Sequence, residues 1–387
     1  MITEIEIEGF KSLEKVHLKL GGLNLFIGAN ASGKSNFLEA LRVLQGIGYG
    51  FTIDEIFNGK PKGAGSEIWT GIRGGSSRAR WKGKNNSILT DSISFRVSFR
   101  GEDEPVLYSI EISPDYGAIV SEELRLGERK VSSPQKAKEA DAPIKKSDFA
   151  NVPPPSRENP VPLSYLRVSS YFPKILHDMQ QLSPSPQILR GYGQVILAQR
   201  MGESGENFAS LVKAILKDPE SASAYLSWLQ QLLPLEAEEI EIREGVLGEP
   251  LFGLKSGNQY FPAPNLSDGT LRFAALTAAF FQPDMPDIIT LEEIENGIHP
   301  SRLRLLVELL KSQSGGSGPQ VFATTHSPVV LAWLEEKDYE TTFLCKRDEE
   351  TGASIIKPLS EIPRLIDLVR RQPIGELFME GWLEGAF

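Results

Sequence analysis

One short segment constrains this chain more than any other. Gly28-Ala29-Asn30-Ala31-Ser32-Gly33-Lys34-Ser35 fits G-x-x-x-x-G-K-[ST], a loop whose glycines let successive backbone N–H groups turn inward onto phosphate oxygens. Lys34 is then placed to reach the β- and γ-phosphates, and the Ser35 hydroxyl to bind Mg²⁺. The flanks agree with that reading. Leu23 to Ile27 is a short apolar run that predicts a buried strand, and Asn36 to Gln45 carries Phe37, Leu38, Leu41 and Leu44 at helical spacing. Strand, loop and helix in that order set an anion at a helix N-terminus, where unpaired N–H groups and the helix dipole favour negative charge. Gly28, Asn30, Ala31, Ser32, Gly33, Lys34, Ser35 and Asn36 are therefore the candidate nucleotide contacts.

Composition bounds the rest. The chain has 387 residues, 40% of them hydrophobic and 24% charged, as in globular proteins with a sizeable core. Its length suggests one large or two modest domains. No apolar run approaches a membrane span, and the N-terminus alternates acids with isoleucines, unlike a signal or transit peptide. A single cysteine, Cys345, excludes an internal disulfide and suits a reducing cytoplasm. The net charge of -10 argues against coating nucleic acid with the whole surface, but not against a local basic groove.

Alternation of Ile5 and Ile7 with Glu4, Glu6 and Glu8 predicts a half-buried strand, and Val16, Leu18 and Leu20 predict a second. Residues 58–87 are rich in Gly, Ser, Lys and Arg, with Arg73, Arg78, Arg80, Lys82 and Lys84 around Trp81. Two readings stand side by side: a solvated loop, or a patch that contacts nucleic-acid phosphates and stacks an aromatic on a base. Strands are expected at 92–100, 106–113 and 118–126. From Glu128 to Pro162 the composition turns to Lys, Ala, Ser and Pro, as in a linker. Short helices broken by prolines are expected over 163–200, and apolar stripes predict helices at 208–216 and 225–233. Residues 101–235 thus read as a lobe inserted into a nucleotide-binding domain formed by 1–100 and 236–387. In the second half, strands are expected at 238–243, 259–262, 287–291 and 320–324, with helices at 271–281, 301–311 and 328–334. That alternation predicts a mainly parallel sheet with helices on its faces.

Three further stretches carry chemistry. Leu266-Ser267-Asp268-Gly269-Thr270 precedes a buried helix; by itself it reads as a helix cap. Glu292 and Glu293 end a buried strand, where open α/β sheets bind ligands; paired acids there suit Mg²⁺ binding and activation of water. His326, in Thr324-Thr325-His326-Ser327-Pro328, follows the next strand.

Taken with the phosphate loop, these stretches resemble the ABC-type ATPases of the SMC/RecF/OLD-like branch. Leu266 to Thr270 looks like a variant of the L-S-G-G-Q signature, and Glu295-Asn296-Gly297-Ile298-His299-Pro300 resembles the E-N-G-L-H-P loop that crosses the dimer interface. Thr324 to Pro328 resembles the H-loop, Gly9-Phe10-Lys11-Ser12 the N-terminal G-F-[KR]-S pattern, and Ile374 to Phe378 an ending found in RecF-like AAA-family ATPases. The resemblance implies a P-loop NTPase of ABC-ATPase head type: a mainly parallel α/β sheet, an N-terminal antiparallel β-subdomain and an inserted lobe. It also implies ATP and Mg²⁺ as ligands. Lys34, Glu293 and His326 would be catalytic, Ser35 and Glu292 would hold metal, and Leu266 to Thr270 would touch the nucleotide of a second copy. Glu295, Asn296, Gly297 and His299 would lie at that interface. Glu292 stands where the family often has Asp, which suits a contact through water. The Q-loop residue has no candidate, Gln45 reading as structural.

The expected function is ATP-dependent head-to-head dimerisation, as a homodimer or a higher even-numbered oligomer, in an anti-phage defence or DNA-repair complex. The residues after Leu344 show no Toprim-like acidic cluster, so any nuclease or toxin would be a separately encoded effector. DNA is the expected further partner, with no membrane, in the cytoplasm. A slow-turnover scaffold that binds ATP is the alternative, and a transporter ATPase subunit a remote one.

Overall fold

A computed structural model of the protein describes residues 1–63, 66–84, 91–101, 104–131, 146–147, 174–233 and 237–386. The chain divides into two units, one made of residues 1–179, 336–366 and 383–387, the other of residues 180–335 and 367–382.

In the first unit, the alternating start of the chain forms β1 (Ile2–Phe10), paired antiparallel with β2 (Leu13–Lys19) so that Ile5 faces Leu18 and Ile7 faces Val16. After β3 (Leu23–Ile27) and the phosphate loop comes α1 (Lys34–Gly48), most of whose residues are buried. Next, α2 (Ile53–Asn58) begins with a capping box between Thr52 and Glu55. A hairpin of β4 (Lys60–Gly63) and β5 (Ser66–Trp69) follows. The chain then adds β6 (Ile93–Phe99), β7 (Val106–Ser113), β8 (Ala118–Leu126) and β9 (Arg129–Val131). These complete an antiparallel sheet of order β2-β1-β6-β7-β8-β9. Period-two patterning gives it one apolar face, with Ile7 opposite Phe95 and Phe95 opposite Ile110, all buried.

The second unit starts at the second residue of β10 (Met179–Leu182) and continues through α3 (Pro186–Leu189), α4 (Phe208–Ile215) and α5 (Pro219–Leu232). Pro219 suits the first turn of α5, and the Asp218 side chain caps it on Ser221 N–H at 2.9 Å. A meander of β11 (Glu239–Glu244), β12 (Pro250–Ser256) and β13 (Gln259–Pro262) leads into α6 (Asp268–Ala278). The apolar run there is buried as expected; α5 packs on α6, and Tyr225 Oη donates to Ala274 O at 3.1 Å. Then come β14 (Ile288–Leu291), α7 (Leu303–Gln313), β15 (Gln320–Thr325) and α8 (Pro328–Leu331). β14 and β15 pair in parallel, with Ile288 opposite Gln320.

The chain returns to the first unit as β16 (Thr342–Arg347) and β17 (Ser354–Pro358). β16 lies parallel to β3, with Leu25 opposite Thr342, and β17 pairs antiparallel with β16. Phe26 packs between α1 and β16, its ring centroid 4.4 Å from Phe37 and 5.0 Å from Phe343. Finally α9 (Ile374–Met379) packs on α8 in the second unit.

The boundary expected at residue 101 coincides with no division here. β6 and β7 lie on either side of it and pair from Ile93 opposite Ile112 to Phe99 opposite Val106, because 93–99 and 106–112 share one alternating apolar face. Most of the linker expected from Glu128 to Pro162, and Pro173 beyond it, lie outside the described residues.

Candidate functional site

The phosphate loop and the other chemical stretches divide between the units: Gly28 to Asn36 belongs to the first, and Leu266 to Thr270, Glu292 to His299 and His326 to the second.

In the first unit the loop is built as a cradle. A Cβ at Gly28 would come within 2.1 Å of Cys345 O, and one at Gly33, whose φ is +110, within 2.2 Å of Ser354 Oγ. Both positions therefore exclude a side chain, on space at either one and on backbone conformation as well at Gly33. Ala31 also has positive φ, at 62, so the chain alternates handedness as anion-binding nests do. Gly33 caps α1 with no side chain to offer, and the first turn carries no acid, so no side-chain cap or carboxylate competes with an anion at this helix N-terminus. Lys34 Nζ folds back onto Gly28 O and Ala29 O, both at 2.7 Å, and onto Ser32 Oγ at 3.3 Å. A bound phosphate would take the place of those oxygens. Asn36, two residues further on, donates to Ser12 Oγ at 2.6 Å and so ties α1 to the Lys11–Ser12 turn after β1. Cys345 lies buried beneath the loop, its thiol pushed up to about 12 by that burial, and is inert near neutral pH.

In the second unit Ser267 caps α6, accepting from Thr270 N–H at 3.1 Å, with the two hydroxyls 2.8 Å apart. The cap reading of this stretch is thus realised, and an exposed serine at a helix N-terminus remains able to meet an anion. Asp268 pairs with Arg190 at 2.5 Å, and Arg190 also donates to Leu266 O at 3.2 Å. Gly269 has to be glycine: a Cβ there would stand 2.5 Å from Gly297 O. Signature-like and interface-like segments are in this way packed on each other.

Glu293 has left-handed backbone, φ 47, a conformation that costs a non-glycine residue about 1–3 kcal/mol. Its N–H donates to Thr324 Oγ1 at 3.0 Å, and its carboxylate accepts from Asn296 and lies 3.6 Å from His326 Nε2. The two expected catalytic side chains of this unit, Glu293 and His326, are therefore neighbours. Asn296, Gly297 and His299 are exposed, as an interface requires. Glu295 differs: it turns inward, accepts from His326 N–H at 2.5 Å, and leaves Oε2 buried without a hydrogen-bond partner.

Of the basic residues singled out, Arg73, Arg78, Arg80 and Lys82 line one cavity, together with Lys11 and Arg347. Lys84 is not among its lining residues and donates instead to Glu349 O at 2.6 Å. Trp81 is 1% exposed, its ring packed inside the first unit, so of the two readings of this segment the one with an aromatic stacked on a base loses that aromatic.

Two positioning residues escaped the sequence reading. Glu39, on α1, accepts from Lys11 and from the Arg73 backbone and side chain, at 3.0 and 2.9 Å for the latter pair. Burial opposes its ionisation, but these hydrogen bonds outweigh it and hold the carboxyl below the usual range. For Lys11, burial dominates and pulls its pKa down, with Glu39 opposing. Arg272, on α6, donates to Glu292 O at 3.1 Å, Glu293 O at 3.0 Å and Pro184 O at 3.4 Å. Burial lowers its pKa, and Glu295 and Glu293 counter it. An arginine inside a run as apolar as 271–281 is the signal that could have found it, since such a charge is buried only with partners.

With this geometry in view, similar proteins can be set beside it. Against solved structures, an Smc head bound to the C-winged helix domain of ScpA aligns with a TM-score of 0.54 at 17% identity, covering 93% of this chain and 98% of that one. The Smc head domain with an extended coiled coil from Pyrococcus furiosus, bound to the C-terminal domain of ScpA, aligns with a TM-score of 0.50 at 13% identity, covering 96% and 99%. A Helicobacter pylori protein described as an ATP/GTP phosphatase is 30% identical over 107 residues, 25% of this chain and 28% of that protein's length. The fold is an α/β P-loop NTPase of ABC-ATPase and SMC-head type with an N-terminal antiparallel β-subdomain. Residues 23–332 match the family model for an AAA domain described as putative AbiEii toxin, Type IV TA system. That match spans the phosphate loop, the signature-like segment, the paired acids and His326, and the chain belongs to this family.

Proposed function

We propose that the protein is an ATP-hydrolysing switch that closes as a head-to-head dimer, or a higher even-numbered oligomer, around nucleotide. We further propose that it serves an anti-phage defence or DNA-repair complex with a separately encoded effector and DNA as partners. The observation that carries the ATP reading is the cradle from Gly28 to Ser35, with Lys34 already inside it and no competing cap on α1. A triphosphate there would draw Lys34 from its carbonyls onto the β- and γ-phosphates. Ser35 and Glu292 are the oxygen donors suited to Mg²⁺, Glu292 through water. The ion would neutralise charge developing on the phosphates. Glu293 is the base for the attacking water, and His326, 3.6 Å from it, holds that water or the γ-phosphate.

The defence role is placed ahead of repair because the family is described by a toxin of a toxin–antitoxin system, and hydrolysis is supported by the phosphatase description of the Helicobacter pylori relative. Among the described residues no helix is long and apolar enough to cross a membrane. Phosphate release from ATP with Mg²⁺ tests the reading. The wild type is expected to turn over, Glu293→Gln to bind ATP without turning over, and Lys34→Ala to lose binding. Hydrolysis by Lys34→Ala at the wild-type rate would overturn it.

A further inference from the structure

Asn296, Gly297 and His299 face solvent, yet the first residue of the same loop, Glu295, turns into its own unit. The backbone around it is fixed on both sides. Ile294 N–H donates to Thr324 O at 3.1 Å and Ile298 N–H to Glu295 O at 3.0 Å, while Gly297 O closes against Gly269 so tightly that a Cβ there would stand 2.5 Å away. The carboxylate therefore projects from a rigid frame. Its target is the first peptide beyond β15. That strand ends at Thr325, so the N–H of His326 lies past the sheet, and a backbone donor held away from water needs an acceptor. Glu295 Oε1 supplies it at 2.5 Å. The next peptide is held separately, Ser327 N–H donating to Thr325 Oγ1 at 3.0 Å. Two side-chain acceptors thus define the turn on which the His326 imidazole stands.

A carboxylate turned inward loses hydration and has to be compensated. Arg272 is the cation at hand: burial lowers its pKa, and Glu295 is the foremost of the acids that oppose this, ahead of Glu293. Glu295 Oε2 and Arg272 Nε are each buried without a hydrogen-bond partner, so charge rather than a direct hydrogen bond couples the two side chains. The bond from His326 N–H to Glu295 is of the stronger, charge-assisted kind. We propose that Glu295 is a positioning residue for hydrolysis: its carboxylate fixes the His326 peptide and, through it, the imidazole whose Nε2 lies 3.6 Å from the Glu293 carboxylate. Asn296, next in the chain, donates to that Glu293 carboxylate. The two leading residues of the loop thus hold one catalytic side chain each, and a displacement of its exposed tip by a second copy is felt at both. This deepens the proposed hydrolysis and rests on it for the roles of Glu293 and His326; the hold of Glu295 on His326 does not depend on ATP.

The test reads His326 directly by NMR and again through turnover. The chain has four histidines, so the ring Cε1–H resonances of the whole protein are few, and His326→Ala identifies the one of interest. In Glu295→Ala, without nucleotide, that resonance should move and broaden while those of His17 and His177 stay in place. Glu295→Gln keeps an acceptor but not the charge and should move it less. With Mg²⁺ and ATP, Glu295→Ala should lower kcat by about tenfold to a hundredfold, as a misplacement of about 1 Å does, and Glu295→Gln should recover part of that. Affinity for ATP, measured by isothermal titration, should not change, because Gly28 to Ser35 are untouched. In the His326→Ala background, Glu295→Ala should cost nothing further, since a residue acting through His326 then has nothing to position. Losses that multiply in the double variant, or a His326 resonance that Glu295→Ala leaves unmoved, would overturn the proposal. If Glu295→Ala does not fold, Glu295→Gln decides by the same two comparisons. A wild type that binds ATP without hydrolysing it retires the proposed activity and the catalytic half of this inference with it, whereas the resonance still decides whether Glu295 holds His326.

Discussion

Replacing Arg272 with methionine should loosen the segment that carries the paired acids. Arg272 is 8% exposed and its guanidinium holds the carbonyls of both Glu292 and Glu293, at 3.1 and 3.0 Å. Hydrogen bonds from a charged donor contribute about 1.5 kcal/mol each at the low end, so these two amount to about 3 kcal/mol. Against that stands the cost of burying the charge, visible in its lowered pKa and its unpartnered Nε, which methionine relieves in part. The net expected loss is about 2–3 kcal/mol. Glu293 also sits in left-handed backbone, and with its carbonyl released that conformation has less to hold it. Urea unfolding at constant m-value measures the first effect, and ATP turnover at saturating nucleotide the second, expected to fall about tenfold or more for a misplacement worth about 1.4 kcal/mol. Arg272→Lys, with a single point charge, should recover only part of either. If Arg272→Met changes stability by less than about 0.5 kcal/mol, as a surface substitution would, and turns over normally, the bracing role is refuted.

Two further outcomes follow from the first unit. Gly33→Ala meets Ser354 Oγ at 2.2 Å in backbone of φ +110; isothermal titration should show at least a tenfold loss of ATP affinity, with stability falling by about 2 kcal/mol or more, and wild-type affinity would count against the cradle. Glu39→Gln tests the Lys11–Glu39–Arg73 cluster through pH. The folded carboxyl is held below the usual 4.5, so the stability it contributes is complete above about pH 4.5 and disappears as pH falls through the lowered value. The gap between wild type and variant in urea midpoint should be constant from neutral pH to about pH 5 and narrow as acidification protonates the folded carboxyl; a gap that does not narrow at any acid pH at which the protein still folds would contradict that.

Much of this was readable from residue order because the signals were local. The spacing of Gly28, Gly33, Lys34 and Ser35 needs no tertiary context, and period-two alternation located β6, β7 and β8 to within a residue or two. What was missed is non-local. β12 carries Gly253 and Lys255 among its apolar residues, and β16 runs straight into Lys346 and Arg347, so neither shows clean alternation. Glu39 reads as the polar face of an amphipathic helix until Lys11 and Arg73 arrive from other segments to bury it. Cationic neighbours leave Trp81 readable either as part of a solvated loop or as a base platform; its ring is instead buried, because it packs inward from the segment that carries those cations.

The question on which the proposed switch turns is whether ATP joins two copies. Sedimentation velocity of Glu293→Gln with Mg²⁺, with and without ATP, answers it. A shift from monomer to dimer on adding ATP, abolished by Lys34→Ala in the same chain, is the expected result. One and the same mass in every condition would contradict it.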